Sequence, residues 1–208
     1  VDEWPEPRRR RHMRFYAECV RRQLCLEGGG KTHLSKNPIF AGRVESLIEA
    51  FPDARIVVPF RHPYETIPSL LQLMRLAWSM RKWSEAEMAG SLRVLAEQSF
   101  HTYRHPLEVL ARHPETPQAI VDYAELTADP KKVVERVYAQ LGLDVTPQFG
   151  AALAAAEQRA QKHTTGHRYS LAEFGLEAGE IHARLADLFE RFGWQDAPAA
   201  GPPEEDAR

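Results

Sequence analysis

Two side chains that could bind a phosphate group stand eight residues apart near the middle of the chain. Arg61 follows the apolar run 56–58, whose length and β-branched residues are typical of a buried strand. His62 and Pro63 then turn the chain into a predicted helix that carries Ser69, because proline suits a first helical position. A guanidinium can bind a phosphate through two parallel hydrogen bonds, and a helix amino end with open amides favours anions. The spacing therefore predicts an anion site at a strand-to-helix junction.

A lysine occupies the corresponding position of an earlier segment. The pattern predicts a short strand over residues 32–36, with Lys36 at its carboxyl end. Ligands of parallel sheets bind at the carboxyl ends of the strands. We therefore expect Lys36 and Arg61 to face one cleft, although an exposed lysine at a strand end would give the same pattern.

The motifs around these residues resemble those of the sulfotransferases that use PAPS, a nucleotide sulfate donor. Arg61 and Ser69 have the spacing of the pair that contacts the donor's 3′-phosphate in that family. Residues 33–38, HLSKNP, resemble the family's strand ending in Lys-Ser-Pro or Lys-Asp-Pro. Residues 51–55, FPDAR, resemble its Phe-Pro-(Asp/Asn)-Ala connector. The likeness is greatest to the bacterial and tyrosylprotein-type branches, and it covers residues 15–193.

The resemblance implies a reaction and a role for each of these side chains. A sulfuryl group would pass in line from PAPS to an acceptor hydroxyl or amine, leaving PAP. Lys36 would be the catalytic residue that stabilises developing negative charge, and Arg61 with Ser69 would bind the 3′-phosphate. The scheme requires positioning and charge neutralisation, and it requires no metal.

Two further residues are implied to contact the donor. Tyr123, at the end of the predicted strand 117–123, matches a tyrosine near the donor's adenine or ribose; packing in the core is the alternative. Arg168 lies in the predicted loop 163–170, which closes over the donor in relatives, and it is a second candidate for the 3′-phosphate. Residues 171–176 follow with the pattern of the family's carboxyl-terminal signature.

Two other functions remain open at this point. The first is another phosphate-binding α/β enzyme such as a nucleotide kinase. The glycines at 28–30 with Lys31 and Thr32 invite the P-loop that such an enzyme needs, but the pattern requires glycine where Cys25 stands. A helix stop is the better interpretation of these glycines. The second alternative is a catalytically incomplete nucleotide-binding or regulatory module. It is favoured because neither the family's loop for the 5′-phosphosulfate nor its catalytic base can be found before Arg8.

Three predicted strands alternate with helices, which favours an α/β fold with a parallel sheet flanked by helices. The resemblance implies the P-loop-like sulfotransferase fold, incomplete at the amino-terminal end. We expect one domain over 1–195 and a disordered tail over 196–208, which contains three prolines. A missing first strand would leave an open sheet edge beside 56–58. Self-association and negligible sulfotransfer by this chain alone are therefore expected.

Composition excludes several classes. The net charge of −2 over 208 residues gives no case for nucleic acid, and no apolar run has the length of a membrane span. Cys19 and Cys25 lie six apart on one predicted helix, so we expect free thiols, a reducing compartment and a cytoplasmic location. The basic run at 8–11 predicts a solvated helix start or, alternatively, a patch for a membrane surface or an acidic partner.

Overall fold

The computed structural model of this chain describes residues 1–28, 30–160 and 170–195. It is a mixed α/β structure, mostly helical, with a parallel pair of strands. In chain order the elements are α1 (Glu6–Glu27), a 3₁₀ turn (Pro38–Arg43), α2 (Val44–Ala50), β1 (Ile56–Phe60), α3 (Pro63–Ser79), α4 (Glu85–Arg112), β2 (Gln118–Asp122), α5 (Tyr123–Ala128), α6 (Pro130–Gln140), α7 (Pro147–Ala160), a second 3₁₀ turn (Ala172–Phe174) and α8 (Ala178–Phe192).

Strands β1 and β2 run parallel and in register, with Phe60 opposite Asp122 at their carboxyl ends. Both strands form where the apolar runs predict them. Ala119 and Val121 of β2 are buried, whereas Val57 of β1 is 43% exposed. Among the described residues neither strand has a further partner. The open sheet edge that was expected beside 56–58 is therefore present in the described part of the chain.

The predicted strand over 32–36 is wrong, because the chain is irregular there and largely exposed. Side chains of this segment bond locally: the Ser35 hydroxyl lies 2.6 Å from His33 Nε2 and 2.8 Å from the Tyr16 hydroxyl. Asn37 then caps the following 3₁₀ turn by accepting from the Ile39 amide at 3.0 Å. A strand of this length needs a neighbouring strand for its backbone hydrogen bonds, and neither β1 nor β2 pairs with this segment.

Helices α3, α4 and α8 form the main hydrophobic core against β1. The buried side chains of α3 recur at helical spacing, as with Ile67 and Leu71. Ile67 and Leu185 of α8 are fully enclosed, and Phe60 brings the end of β1 into the same cluster. The core therefore fixes the point from which Arg61 leaves the sheet.

Polar contacts tie the start of the chain to α2 and α4. The Asp2 carboxylate accepts from the amides of Glu45 and Ser46 at 3.0 and 2.9 Å, and His105 Nε2 lies 2.8 Å from it. A small apolar cluster supports the same junction; its buried members are Val44, Val109 and Leu110. Helix α2 is thus held mainly through its amino end.

Helix α1 ends where the glycines were expected to stop it. Its last residue is Glu27, and Gly28 and Gly30 both take positive φ angles, +86° and +85°. Cys19 and Cys25 on this helix are free thiols, as predicted. No helix of the described ranges is both long and apolar enough to cross a membrane.

Candidate nucleotide-binding site

Arg61 and Tyr123 meet where the two strands end. Because Phe60 pairs with Asp122, the next residues of both strands leave the sheet at the same edge. The Arg61 guanidinium carbon lies 5.0 Å from the centroid of the Tyr123 ring, within range of a cation–π contact. Tyr123 is 38% exposed, so the alternative that it packs in the core is wrong. The two side chains form one accessible corner with a positive charge and a flat aromatic face.

A buried hydroxyl fixes the backbone of this corner. Tyr103 of α4 donates to the Arg61 carbonyl at 2.7 Å, and its ring stacks on Phe60 with the centroids 5.8 Å apart. Tyr103 is only 5% exposed. Burial raises the pKa of the Tyr103 phenol far above its ordinary value, so the group remains a donor at every working pH.

His62 caps helix α3 with its side chain. Its Nδ1 accepts from the Tyr64 amide at 3.2 Å, so the ring proton must lie on Nε2, which donates to the Gln195 carbonyl at 3.0 Å. The ring also lies against Trp194, with the centroids 5.5 Å apart. These contacts connect the start of α3 to the residues that follow α8.

The expected open amides at the start of α3 are not available. Pro63 has no N–H, and the Tyr64 amide is taken by the His62 ring. The amides of Glu65 and Thr66 donate to the His62 carbonyl at 3.0 and 3.1 Å. That part of the sequence prediction is wrong because the histidine side chain acts as the cap. An anion at this junction must be bound by side chains, assisted by the helix dipole.

Glu65 holds the Arg61 guanidinium in the structure. Arg61 Nε donates to Glu65 Oε2 at 2.7 Å, and a second guanidinium nitrogen bonds the same oxygen. Ser69 lies one helical turn beyond Glu65 on the same face of α3, and it is half-buried. Within the described residues its hydroxyl has no hydrogen-bond partner. The Glu65 carboxylate thus pairs with the guanidinium that was predicted to bind a phosphate. The spacing of four between Arg61 and Glu65 was the available sequence signal for this pair.

Among the described residues, no contact joins Lys36 to this corner. Lys36 is exposed in the irregular segment that follows α1 and precedes the first 3₁₀ turn. Its ammonium forms no hydrogen bond or ion pair with any residue that the structure describes. The strand that was expected to place Lys36 beside Arg61 is absent from this segment. The structure therefore shows a contact of Arg61 with Tyr123 but none of either residue with Lys36.

Two parts of the sequence prediction fall outside the described residues. These are Arg168, with its surrounding loop, and the tail 196–208. The signature that follows the loop is described: it forms the 3₁₀ turn Ala172–Phe174, which ends at Gly175 with φ +65°. Within the described ranges, no group of three or more His, Cys, Asp or Glu side chains could hold a metal ion.

Comparison with known proteins connects this corner to a family. Residues 6–147 match the profile of the sulfotransferase family. The omega-hydroxy-beta-dihydromenaquinone-9 sulfotransferases Stf3 of Mycobacterium bovis and Mycobacterium tuberculosis are each 27% identical over 113 residues. That match covers 54% of this chain and 29% of each relative.

A solved structure agrees with the sequence matches. The crystal structure of sulfotransferase STF9 from Mycobacterium avium superposes with a TM-score of 0.61 and 25% identity, over 77% of this chain and 41% of that one. The chain therefore spans less than half the length of the relatives it matches. The family profile includes both strands, the Arg61 corner and the Lys36 segment. The chain belongs to the sulfotransferase family.

Proposed function

We propose that this chain binds the nucleotide sulfate donor PAPS and serves in sulfuryl transfer to an acceptor hydroxyl or amine. The observation that carries the proposal is the meeting of Arg61 and Tyr123 at the paired carboxyl ends of β1 and β2. Ligands of open parallel sheets bind at this edge, beyond the carboxyl ends of the strands. Membership of the sulfotransferase family supports the same assignment.

The residues present fit the 3′-phosphoadenosine part of the donor. Arg61 supplies a guanidinium suited to bidentate phosphate binding, on a backbone that Tyr103 holds in place. Ser69 supplies a hydroxyl on the same face of α3 as Glu65, which is hydrogen-bonded to the Arg61 guanidinium. The exposed ring of Tyr123 offers a surface on which a base or ribose can pack. Binding requires that the phosphate displace Glu65.

In the proposed reaction, the donor supplies the sulfuryl group and the protein supplies positioning and charge. Arg61 and Ser69 anchor the nucleotide, which fixes the distance from the 3′-phosphate to the reacting end. Lys36 neutralises negative charge that develops as the sulfur–oxygen bond to the nucleotide breaks. The acceptor proton passes to a base that the described residues do not identify.

Calorimetry with PAP and 5′-AMP tests the donor assignment. The two nucleotides differ only in the 3′-phosphate, so the ratio of their affinities isolates that group. We expect PAP to bind more tightly than 5′-AMP by a factor of about 30 or more. This ratio corresponds to a charge-assisted bidentate contact that contributes about 2 kcal/mol. Equal affinities, or no PAP binding at millimolar concentration, would contradict the assignment of Arg61 and Ser69.

A nucleotide-binding or regulatory module is the second candidate, favoured by the lack of regular structure in the exposed segment that contains Lys36. Both functions predict PAP binding, and only the enzyme predicts release of PAP from PAPS in the presence of an acceptor. The Stf3 relatives are named as sulfotransferases of omega-hydroxy-beta-dihydromenaquinone-9, a hydroxyl-bearing molecule. A long-chain alcohol is therefore the first acceptor to test. PAP binding without acceptor-dependent PAP release would favour the regulatory module.

A further inference from the structure

The outward face of helix α1 alternates arginines with exposed apolar side chains. Arg11, Phe15, Glu18, Arg22 and Leu26 succeed one another at spacings of three or four, so they lie along one face. Phe15 is 70% exposed and Leu26 is 83% exposed. The buried residues of the helix lie on the opposite face, against the rest of the protein.

The helix is strongly basic in a chain that is not. It contains seven arginines and three glutamates, a net charge of +4, whereas the whole chain has a net charge of −2. Such an asymmetry creates a local positive field that attracts anionic partners.

Part of the basic run at 8–11 is used within the protein. The Arg8 guanidinium stacks over Trp4 at 4.0 Å, and Arg9 pairs with Glu49 at 3.0 Å. Arg10 pairs with a glutamate one turn earlier on the same helix. The predicted solvated helix start is therefore only a partial description of this run.

Four arginines of α1 have no acidic partner among the residues that the structure describes: Arg8, which stacks over Trp4, and Arg11, Arg14 and Arg22. Two of them lie on the outward face with Phe15 and Leu26. Glu18, the acid on that face, is paired with Arg21. The face thus presents free cations beside exposed apolar side chains.

We propose that this face docks onto a lipid bilayer that contains anionic lipids. Guanidinium groups bind lipid phosphates at the headgroup level, while Phe and Leu enter the boundary of the acyl chains. Phe15 and Leu26 lie about 16 Å apart along the helix axis, so they contact a flat surface together. A nucleic acid would bind the arginines, but it would not account for the exposed apolar side chain of Leu26. This proposal does not depend on the sulfotransferase activity.

Vesicle co-sedimentation tests the proposal with the whole chain. Vesicles of phosphatidylcholine alone are compared with vesicles in which about one third of the lipid is phosphatidylglycerol. We expect the protein to pellet with the anionic vesicles, to remain in solution with the neutral ones, and to be released as salt is raised.

Charge and apolar variants separate the two contributions. Arg11→Glu with Arg22→Glu should lower the partition coefficient by about tenfold or more. Phe15→Ser with Leu26→Ser should also lower it by about tenfold. The matched control is Arg93→Glu with Lys132→Glu, an equal charge change on α4 and α6, which should change binding by about twofold at most. All these positions are exposed, so circular dichroism should show unchanged melting.

Three results would overturn the proposal. The first is a lack of pelleting with anionic vesicles, or equal pelleting with neutral ones. The second is an equal loss of binding in the control variant. The third is full binding by the Phe15→Ser, Leu26→Ser variant, which would identify a purely electrostatic surface for a polyanion such as a nucleic acid.

Discussion

The corner that contains Arg61 and the segment that contains Lys36 are built in opposite ways. Arg61 leaves a paired strand, its carbonyl accepts from the buried Tyr103 hydroxyl, and the fully buried core of α3, α4 and α8 lies directly behind it. Lys36 lies in a segment without regular structure, beside Leu34, which is 92% exposed. The backbone at Arg61 is therefore fixed by the fold, and the segment that contains Lys36 is not.

The anchors of the two regions differ in kind. Apolar packing fixes the Arg61 corner. Helix α2, which follows the Lys36 segment, is held at its amino end by Asp2 and by the pairing of Glu45 with His113 at 2.9 Å. Apolar packing responds to cavities, whereas polar anchors respond to pH and salt. The two regions should consequently lose stability under different perturbations.

Truncation of the core should have the largest effect. Ile67→Ala removes a fully enclosed side chain of α3 and should lower the free energy of unfolding by about 2–5 kcal/mol. Leu34→Ala, the matched change beside Lys36, should stay within about 0.5 kcal/mol. Urea denaturation of both variants measures the difference. Similar losses in the two variants would mean that the Lys36 segment is as well packed as the corner.

Removal of the guanidinium should separate binding from stability. Arg61→Ala should weaken PAP binding by about 2–3 kcal/mol, or about 30- to 150-fold, because a charge-assisted contact is lost. Melting should change little, since the side chain is 38% exposed. Arg81→Ala, at an exposed position after α3, is the control for loss of a positive charge. Unchanged PAP affinity with a large drop in melting temperature would make Arg61 a structural residue.

The sequence predicts the Arg61 corner well because the signals there are local. The apolar run of β1, the proline at the first position of α3 and the apolar run of β2 each specify their own element. With both strands parallel, the meeting of Arg61 and Tyr123 follows from topology. The roles of Arg61, Ser69, Tyr123 and Lys36 in donor binding stay predictions.

The failures arise where structure depends on a distant partner or on a side-chain choice. A strand over 32–36 requires a neighbouring strand, which local sequence cannot supply. Helix α5 was missed because Asp122, the last residue of β2, also caps it by accepting from the Ala124 amide at 2.9 Å. The capping of α3 by a His62 ring was also unexpected, since histidine is an uncommon cap.

Removal of the Glu65 carboxylate, which competes for Arg61, should raise the affinity of the Arg61 corner for PAP. Glu65→Gln frees Arg61 from an exposed ion pair, so PAP affinity should rise by about two- to fivefold, the value of about 0.5–1 kcal/mol. The gain should be larger at low salt, because screening weakens the pair. Glu85→Gln, an exposed acid in the first turn of α4, is the control. A fall in PAP affinity would show that Glu65 positions the guanidinium rather than competing for it.

The polar anchor of α2 should make stability depend on pH above neutrality. Hydrogen bonds that the His113 ring donates to the carboxylates of Glu45 and Glu115, each at 2.9 Å, raise the pKa of His113 above its ordinary value of 6.5. The stabilisation is complete below pH 6.5, the value in the unfolded chain, and it is lost as pH rises through the folded pKa. Glu45 remains ionised throughout, because its pKa is lowered, chiefly by His113.

Thermal melting across about pH 6 to 8 measures this effect, which should be the smallest of the four because the groups lie near the surface. The wild type should lose stability over this range, and His113→Gln should lose less. His33→Gln, which removes a histidine from the Lys36 segment without touching α2, should follow the wild type. Hydrogen exchange can then locate the change: amides of α2 should lose protection as pH rises, while those of α3 at the Arg61 corner keep theirs. Equal loss in both helices would show that the two regions share one anchor.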